Sequence, residues 1–321
     1  MKQLAITVFA GLAVALLAAF GSSASAQTSR TIKIIVPTPA GGGSDIIARQ
    51  LGDEIARTHR VTIVIENRPG GGNVIGFEAA SRAEPDGNTL LLITNAFVVI
   101  PHVHKLSYDT LTAFEPICKL TSSPSLLAVN SASPYRSLAD LVDAARAKPG
   151  ELTLASVGPA TPYQIGLEQL KKAAGVNITY VPYAGATPVV AALLGQHVTS
   201  MFGSLSNISG QLKANQLRAL AVAGPKRIAA LPDVPTFAET YKGFDVDVWF
   251  GVTAPAKTPK AALTELIDWF TQAMQSPDIR AKLDTQGLYP AVTCGDDFGA
   301  ILRRQYDEYG RVIQESNLKP N

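Results

Sequence analysis

The chain has 321 residues, of which 46% are hydrophobic and 17% are charged, and its formal net charge is +2. At roughly 100–200 residues per domain, this length predicts two domains. Intrinsic disorder is excluded because the chain carries ample apolar surface to bury, and a fibrous fold is excluded because its 26 glycines and 21 prolines show no strict period. Nucleic-acid binding requires a clustered cationic surface, and this near-neutral chain has no basic block.

The first 26 residues have the pattern of an export signal. Lys2 precedes an uncharged apolar run at residues 4–20, and a small-residue A-x-A site follows at residues 24–26. This order predicts a signal peptide that is cleaved after Ala26, and a mature protein in the periplasm. A membrane anchor is the alternative, but the run of 17 apolar residues is shorter than the roughly 20 that span a bilayer. Export also disfavours enzymes that depend on ATP or a nicotinamide cofactor.

Two cysteines and four histidines give little sign of metal or redox chemistry. Cys118 and Cys294 either pair in the oxidising compartment or stay separate buried thiols, because sequence does not fix the distance between them. Neither belongs to a Cys-x-x-Cys motif. His102 and His104 form an H-x-H without a neighbouring carboxylate or cysteine, which favours loop histidines over metal ligands. We expect no metal and no cofactor.

Short β-branched runs alternate with amphipathic segments along the chain. Predicted strands cover residues 31–36, 61–65, 90–94, 126–129, 152–155, 178–181, 198–202 and 217–222. Predicted helices cover residues 44–58, a short segment after 73, then 137–148, 163–174, 188–194, 206–214, 260–274, 279–286 and 297–316. Residues 223–235 are rich in Pro and Gly and are typical of a connection. The βαβαβ rhythm predicts an α/β fold with a largely parallel sheet and helices on its faces.

A glycine-rich loop, VPTPAGGGSD at residues 36–45, joins the first predicted strand to the first predicted helix. Glycine permits positive φ and close approach of a ligand to the backbone. The first N–H groups of a helix have no intrahelical partner and lie at the positive end of its dipole. The loop therefore predicts an anion site, although a tight turn with Ser44 or Asp45 as an ordinary N-cap is the alternative.

A second loop at residues 155–164 also follows a predicted strand and precedes a helix. Ser156 and Thr161 supply hydroxyl groups there, and Gly158 permits close approach. Ligands of open α/β proteins bind at the carboxyl ends of strands. Two such ends that face each other across a cleft would enclose a small anion.

Enzyme motifs fail on spacing. The dinucleotide fingerprint G-x-G-x-x-G needs a final glycine where this chain has Ile46 after the first glycine run and Ile75 after a second glycine run at residues 69–73. No Walker G-K-[ST] occurs. A nucleophile elbow would need glycine at position 46, where the chain has isoleucine. These absences predict a non-enzymatic protein; a secreted hydrolase is the weaker alternative.

Several motifs occur together in one order: VPTPAGGGSD, ENRPGGGNVIG, PDGNTLLL, VPYAG, LPDVPTFAE and VDVWFGVTAPAKTP. From about Thr31 to the C-terminus, the sequence resembles the Bug family of periplasmic receptors, the solute-binding components of tripartite tricarboxylate transporters. The resemblance implies a type II periplasmic-binding-protein fold with two open α/β lobes, a cleft and two inter-lobe crossings. Lobe one would comprise residues 27–125 and 248–321, and lobe two residues 126–247.

The resemblance also implies a ligand site. In the family the first loop grips a carboxylate through backbone N–H groups and ordered waters. The expected ligand-binding residues from both loops and the neighbouring segments are Thr38, Gly42, Gly43, Ser44, Asp45, Ser156, Gly158, Thr161, Gln164, Tyr183, Gly203 and Asn207. Thr38, Gln164 and Gly203 stand where the family has an aromatic, a histidine and an acidic residue, so the identity of the ligand does not transfer.

The sequence therefore predicts a monomeric receptor for a small organic carboxylate, with a di- or tricarboxylate favoured. Its partners would be the membrane permease subunits of a tripartite tricarboxylate transporter; presentation of ligand to a sensor kinase of a two-component system is the alternative. Asp45 is assigned two roles, helix N-cap and orienter of ligand or water. Trp249 and Phe250 are interpreted as packing or hinge residues rather than ligand platforms.

Overall fold

The structure is a computed structural model that describes residues 30–158, 161–183, 185–224, 226–244, 246–316 and 318. The predicted signal peptide and its cleavage site lie outside these residues. Within the described residues, no helix is both long and apolar enough to cross a membrane.

Strands and helices alternate through most of the chain. The strands are β1 (Thr31–Val36), β2 (Thr62–Asn67), β3 (Thr89–Thr94), β4 (Phe114–Asn130), β5 (Thr153–Val157), β6 (Thr179–Tyr183), β7 (Ser200–Ser204), β8 (Leu217–Ala223), β9 (Asp247–Pro255) and β10 (Tyr289–Cys294). The helices are α1 (Gly43–His59), α2 (Val74–Ser81), α3 (Ala96–Val99), α4 (Leu138–Ala147), α5 (Pro162–Ala174), α6 (Ala186–Leu194), α7 (Leu205–Lys213), α8 (Phe237–Thr240), α9 (Lys260–Gln275), α10 (Pro277–Thr285) and α11 (Gly295–Glu315).

The strands form one continuous mixed sheet in the order β2-β1-β3-β9-β4-β7-β5-β6, with β8 and β10 also paired to β4. The expected parallel pairing is confirmed for β1 with β2 and β3, and for β5 with β6 and β7. Strands β4 and β9 run antiparallel to their neighbours. The prediction of a largely parallel sheet is therefore incomplete, because it lacked β9 and did not foresee that β4 runs antiparallel to its neighbours.

Strand β4 is much longer than the predicted segment, 126–129. Its first part contains Pro116, Pro124 and a run of hydroxyl residues, a composition that argues against a central strand. The structure accommodates Pro116 where the β4–β9 register shifts. Strands β9 and β10 and the single turn α8 were also missed, since short segments are set by packing rather than by local propensity.

Each part of the sheet is covered by helices on both faces. Around β1 and β3, Ile34 and Leu92 pack in a cluster with Phe270 of α9, while Ile35 lies in a cluster with Trp249 on the other face. Around β5 and β7, a cluster with α4 and α5 covers one face and a cluster with α6 and α7 covers the other. Adjacent residues of a strand point to opposite faces, which explains why neighbours such as Ile34 and Ile35 enter different clusters.

Cys118 and Cys294 form a disulfide bond, which settles the alternatives that the sequence left open. Cys118 lies in β4 and Cys294 ends β10, and the two residues face each other in the antiparallel register. The bond links positions 176 residues apart in sequence. It thereby ties the C-terminal segment to the central strand.

Candidate functional site

The glycine-rich loop leads directly from β1 into α1. Gly41 has φ +82°, a value that favours glycine, and Gly41, Gly42 and Gly43 are all exposed. Gly42 is the N-cap residue of α1 and has an extended backbone. Since helix geometry leaves the first N–H groups without an intrahelical acceptor, the N–H groups of Gly43, Ser44 and Asp45 have none within α1.

Asp45 is not the N-cap, so that part of its predicted role is wrong. It is the third residue of α1, and its side chain turns back towards the loop. The Gly41 N–H donates to Asp45 Oδ2 over 2.9 Å. Arg49 Nε donates to the same oxygen over 3.0 Å, and Arg49 Nη2 lies 2.9 Å from Oδ1. Both oxygens of this buried carboxylate therefore face groups of the protein.

These contacts perturb the ionisation of Asp45. Its pKa is lowered from 3.8 to about 2, chiefly by the hydrogen bond from Arg49 and further by the Gly41 N–H, against the opposing effect of burial. The carboxylate is consequently ionised throughout the physiological range. Asp45 is suited to hold the loop rather than to exchange protons.

Asn67, the last residue of β2, completes the connection. Its Nδ2 donates to the Thr38 carbonyl over 3.1 Å, and its Oδ1 accepts from Arg49 Nη2 over 3.2 Å. Asp45, Arg49 and Asn67, which we name the loop anchor, therefore connect the start of the loop at Thr38 to its middle at Gly41. This arrangement presents the N–H groups in a fixed geometry.

A close contact fixes the base of the same loop. Gly76 of α2 lies so near to Pro37 that a Cβ atom at position 76 would sit 2.7 Å from Pro37 Cβ and 2.8 Å from Pro37 Cα. Only glycine allows this approach without movement of the Pro37 backbone. A shift of α2 would therefore move Pro37, the residue that precedes Thr38.

The second loop is held by its own hydrogen bonds. Ser156 Oγ lies 2.8 Å from the Tyr180 hydroxyl, and the Tyr180 hydroxyl donates to the Gly158 carbonyl. Because a tyrosine hydroxyl has one hydrogen, Ser156 is the donor of the pair. The Gly158 N–H donates to the Tyr183 carbonyl over 2.9 Å. Gly158 thus contacts Tyr183, and the donors of Ser156 and Gly158 are engaged within the protein.

Helix α5 begins at this loop. Thr161 is its N-cap residue, and Gln164 is buried in its first turn. Tyr163 lies 6.3 Å, centroid to centroid, from Phe202. Burial raises the pKa of Tyr163 to about 12, against the opposing effect of hydrogen bonding to Ser204. This start of α5 therefore contacts the end of β7.

The last two predicted ligand residues have different surroundings. Gly203 is buried in β7 opposite Leu126 of β4. Asn207 is exposed in the first turn of α7. It lines a groove of about 340 Å³ between α6 and α7. Their part in ligand binding stays a prediction.

Strand β9 lies between the two loops. A Cβ atom at Gly43 would be 3.8 Å from the Phe250 ring, while the neighbouring Trp249 shares a core cluster with Ile165 of α5. Trp249 is fully buried, and its backbone N–H donates to Asn95 Oδ1 over 3.1 Å. These contacts agree with the interpretation of Trp249 and Phe250 as packing residues.

A large groove lies away from both loops. A groove of about 750 Å³ runs between α5, α11 and residues 241–244. Gln169 Nε2 donates to Glu308 Oε1 over 3.0 Å, and Lys172 pairs with Glu315 over 2.8 Å. Its walls carry both acidic and basic side chains, and none of the predicted ligand residues lines it.

The described part of the chain holds no cluster of three or more His, Cys, Asp or Glu residues suited to a metal ion. His102 packs on Tyr306 with ring centroids 4.3 Å apart, and burial lowers its pKa. His104 lies near the second glycine loop, with Nε2 3.6 Å from the position of a Cβ at Gly72.

The first loop is recognisable from its sequence, but the residues that hold it are not. The Asp45–Arg49 spacing of four residues on a helix is a recognised signal for an ion pair and could have been used. Asn67 required knowledge that β1 and β2 pair in parallel with Val36 beside Asn67. Gly76 carries no local signal for its contact with Pro37.

Solved structures with the same fold define the class of the protein. The chain superposes on a periplasmic transporter with a TM-score of 0.76 and 34% identity, over 92% of this chain and 99% of the other. For the malate-bound MatC of Rhodopseudomonas palustris, the TM-score is 0.71 and the identity 26%, over 88% of this chain and 99% of the other. For the adipate-bound Rpa4515 of R. palustris, the TM-score is 0.77 and the identity 28%, over 92% of this chain and 100% of the other. The fold is thus that of a periplasmic solute-binding protein.

The family follows from sequence. Residues 47–318 match the TctC model, described as the tripartite tricarboxylate transporter family receptor, and the chain belongs to this family. A UPF0065 protein from the tcbD-tcbE intergenic region of Pseudomonas sp. (strain P51) is 32% identical over 98% of this chain and 95% of its own length. BugT of Bordetella pertussis is 30% identical over 92% of both chains.

Membership confirms three predictions: the resemblance to Bug receptors, the periplasmic-binding-protein fold, and a receptor that is not an enzyme. The family also implies a periplasmic location.

Proposed function

We propose that this receptor captures a small organic carboxylate at the N-terminus of α1 and delivers it to the membrane permease subunits of a tripartite tricarboxylate transporter. The observation that carries the proposal is the exposed start of α1, where the N–H groups of Gly43 and Ser44 have no acceptor within the helix. The loop anchor holds these donors in place. A carboxylate at a helix N-terminus meets both aligned N–H groups and the positive end of the dipole.

The arginine that holds Asp45 is already engaged. Arg49 is bonded to Asp45 and Asn67, and neither loop contains another Arg or Lys. Backbone amides, hydroxyls and ordered waters would therefore neutralise the ligand. This matches a receptor that must release its ligand, because hydrogen-bond donors without a fixed counter-charge bind an anion less tightly than a buried ion pair.

The energy of one carboxylate is too small for a receptor. Three charge-assisted hydrogen bonds contribute roughly 4.5–9 kcal/mol before costs. Association costs about 4 kcal/mol or more, whereas micromolar affinity needs about 8 kcal/mol net. A second polar head group on the ligand closes this gap, which favours a di- or tricarboxylate. Malate and adipate, bound by the two related structures, are dicarboxylates.

Enclosure by two lobes would supply the remaining contacts. We assign residues 27–125 and 248–321 to lobe one and residues 126–247 to lobe two, with β4 and β9 as the crossings between them. Closure by bending of these crossings would bring the second loop, with Thr161 and Gln164, over the ligand. The closed monomer is the form that the permease would recognise.

Thermal-shift measurements with dicarboxylates, citrate, acidic amino acids and aromatic acids test the ligand class. A ligand present at 100 times its Kd stabilises the folded state by about 2.7 kcal/mol, which raises Tm by roughly 4 °C for a chain of this size. If no carboxylate raises Tm, the proposed ligand class is wrong.

The variant Gly43→Val tests the place of binding. Its side chain would project among the donors of the first loop with only an ordinary contact to Phe250, so we expect binding to be lost while the fold is kept. Gly210→Val is the matched control, because a Cβ atom at Gly210 in α7 meets nothing within 4 Å. Unchanged affinity in Gly43→Val would remove this loop from the site.

A further inference from the structure

Three hydroxyl groups of β4 are buried without a hydrogen-bond partner. Thr121, Ser123 and Ser125 are 0%, 3% and 0% exposed. Among the described residues, none of their hydroxyl oxygens has a partner. Folded proteins rarely leave such groups unsatisfied, because burial removes their bonds to water without replacement. Three in a row on one strand therefore need an explanation.

The first two hydroxyls share a face with the start of α1. In the β4–β9 register, Thr121 lies opposite Phe250 and Ser123 lies opposite Val248. Residues directly opposite in an antiparallel pair point to the same side of the sheet. Phe250 is the residue that meets Gly43 of the first loop. Thr121 and Ser123 therefore point to the face on which α1 begins.

The third hydroxyl lies near the start of α5. Ser125 continues the alternation of Thr121 and Ser123 along the strand, and it lies opposite Ser204 of β7. Ser204 is hydrogen-bonded to Tyr163 in the first turn of α5. On the same face, the next alternate residue, Leu127, packs with Leu167 of α5. The hydroxyl row thus runs from the surroundings of one helix N-terminus towards those of the other.

We propose that Thr121, Ser123 and Ser125 receive the distal carboxylate of a dicarboxylate ligand whose first carboxylate is bound at the start of α1. This inference rests on the proposed function and extends it to residues of the central strand. Each hydroxyl can donate to a carboxylate oxygen without an opposing cation. A head group bound here lies beneath the surface, as enclosure between two lobes requires.

The row also gives a basis for selection by chain length. At about 3.3 Å per residue, the four steps from Thr121 to Ser125 cover roughly 13 Å. A linear dicarboxylate spans only part of that length, so its chain decides which hydroxyls it reaches. Shorter ligands would use Thr121 and Ser123, and longer ligands would reach Ser125.

Calorimetric titration of the purified receptor tests the proposal. The probes are succinate, glutarate and adipate, each paired with its monocarboxylate of equal length (butyrate, valerate and hexanoate). The variants are Thr121→Val, Ser123→Ala and Ser125→Ala. Removal of a hydroxyl bonded to a carboxylate should weaken dicarboxylate binding about tenfold and leave monocarboxylate binding unchanged.

Thr253→Val is the matched control. Thr253 of β9 is also fully buried with an unpartnered hydroxyl, but it lies opposite Pro116 and Leu91, away from Ser123 and Ser125. We expect its affinities to equal those of the wild type. The Tm of each ligand-free variant should not fall, since each change deletes an unsatisfied polar group.

The outcomes separate this inference from the proposed function. Dicarboxylate binding that is lost in Gly43→Val but unchanged in all three hydroxyl variants would overturn the inference and leave the proposed function standing. Equal weakening of mono- and dicarboxylate binding would also overturn it, because the hydroxyls would then not bind the distal carboxylate. If the wild type binds none of the six acids, the inference is wrong, and the wider set of carboxylates in the thermal-shift measurements then decides the proposed function.

Discussion

The substitution Asp45→Ala removes the group that holds the glycine loop to α1. It deletes the acceptor of the Gly41 N–H, the partner of Arg49 and the acidic residue in the first turn of α1. The Gly41 hydrogen bond contributes about 1 kcal/mol, an ion pair with an exposed arginine about 0.5 kcal/mol, and the dipole interaction about 0.5 kcal/mol. We therefore expect the free energy of unfolding to fall by about 2 kcal/mol. Asp45→Asn, which keeps an acceptor for Gly41, should lose about half as much.

The pH dependence follows from the lowered pKa of Asp45. Because its pKa is about 2 in the folded protein and near 3.8 ordinarily, the ionised form favours folding. This stabilisation is fully present above about pH 4 and is lost as pH falls to about 2. The shift corresponds to roughly 2.5 kcal/mol, which screening by solvent around the half-exposed Arg49 reduces to about 1 kcal/mol. In Asp45→Ala this part of the acid destabilisation should be missing.

Urea unfolding at pH 7 and pH 3 measures both effects. Asp53→Ala is the control, because it removes the same charge from an exposed position of α1. Carboxylate binding should weaken in Asp45→Ala and stay near wild type in Asp45→Asn, since the loop keeps its anchor. An unfolding midpoint of Asp45→Ala equal to that of the wild type would refute the anchoring role. Loss of binding in Asp45→Asn without loss of stability would show that Asp45 contacts the ligand directly.

Two further substitutions test the frame around the site. Gly76→Ala should destabilise the protein by about 1–3 kcal/mol through its collision with Pro37, and it should weaken carboxylate binding. The control Gly210→Ala places its Cβ atom in open space and should be neutral or stabilising by up to about 1 kcal/mol. Thermal unfolding of the two variants measures the difference. Reduction of the Cys118–Cys294 bond, or its replacement by two serines, should lower the free energy of unfolding by about 2–5 kcal/mol; an unchanged urea midpoint after reduction would contradict this.

Local pattern predicted most helices and the strands of the parallel groups. The capping box of α4 is one case, in which Ser137 accepts from the Asp140 N–H over 3.1 Å and Asp140 accepts from the Ser137 N–H over 3.0 Å. Such features involve residues three or four apart, so their energies are visible in a short window of sequence. Local pattern does not predict strand β9, because this strand is defined by its pairing with β3 and β4.

The candidate site divides in the same way. The strand, three glycines and helix start at residues 36–45 predicted exposed N–H groups, and the structure places them at the start of α1. The sequence predicts a helix start at Ser44 or Asp45, with Asp45 as N-cap, whereas the helix begins at Gly43 and its N-cap residue is Gly42. The predicted hydroxyl of Ser156 is engaged with Tyr180, a partner on the adjacent parallel strand that local sequence does not reveal.

By itself, the sequence determined the export signal pattern, the alternation of strands and helices, the glycine-rich loop that leads into α1, and the family. These depend on composition, on hydrophobic period and on motifs in fixed order. The tertiary structure alone decided the disulfide between residues 176 apart, the Asn67 link in the loop anchor and the hydroxyl row on β4. Each of these arises where distant segments pair in a register that packing of the whole sheet selects, and no local propensity encodes that register.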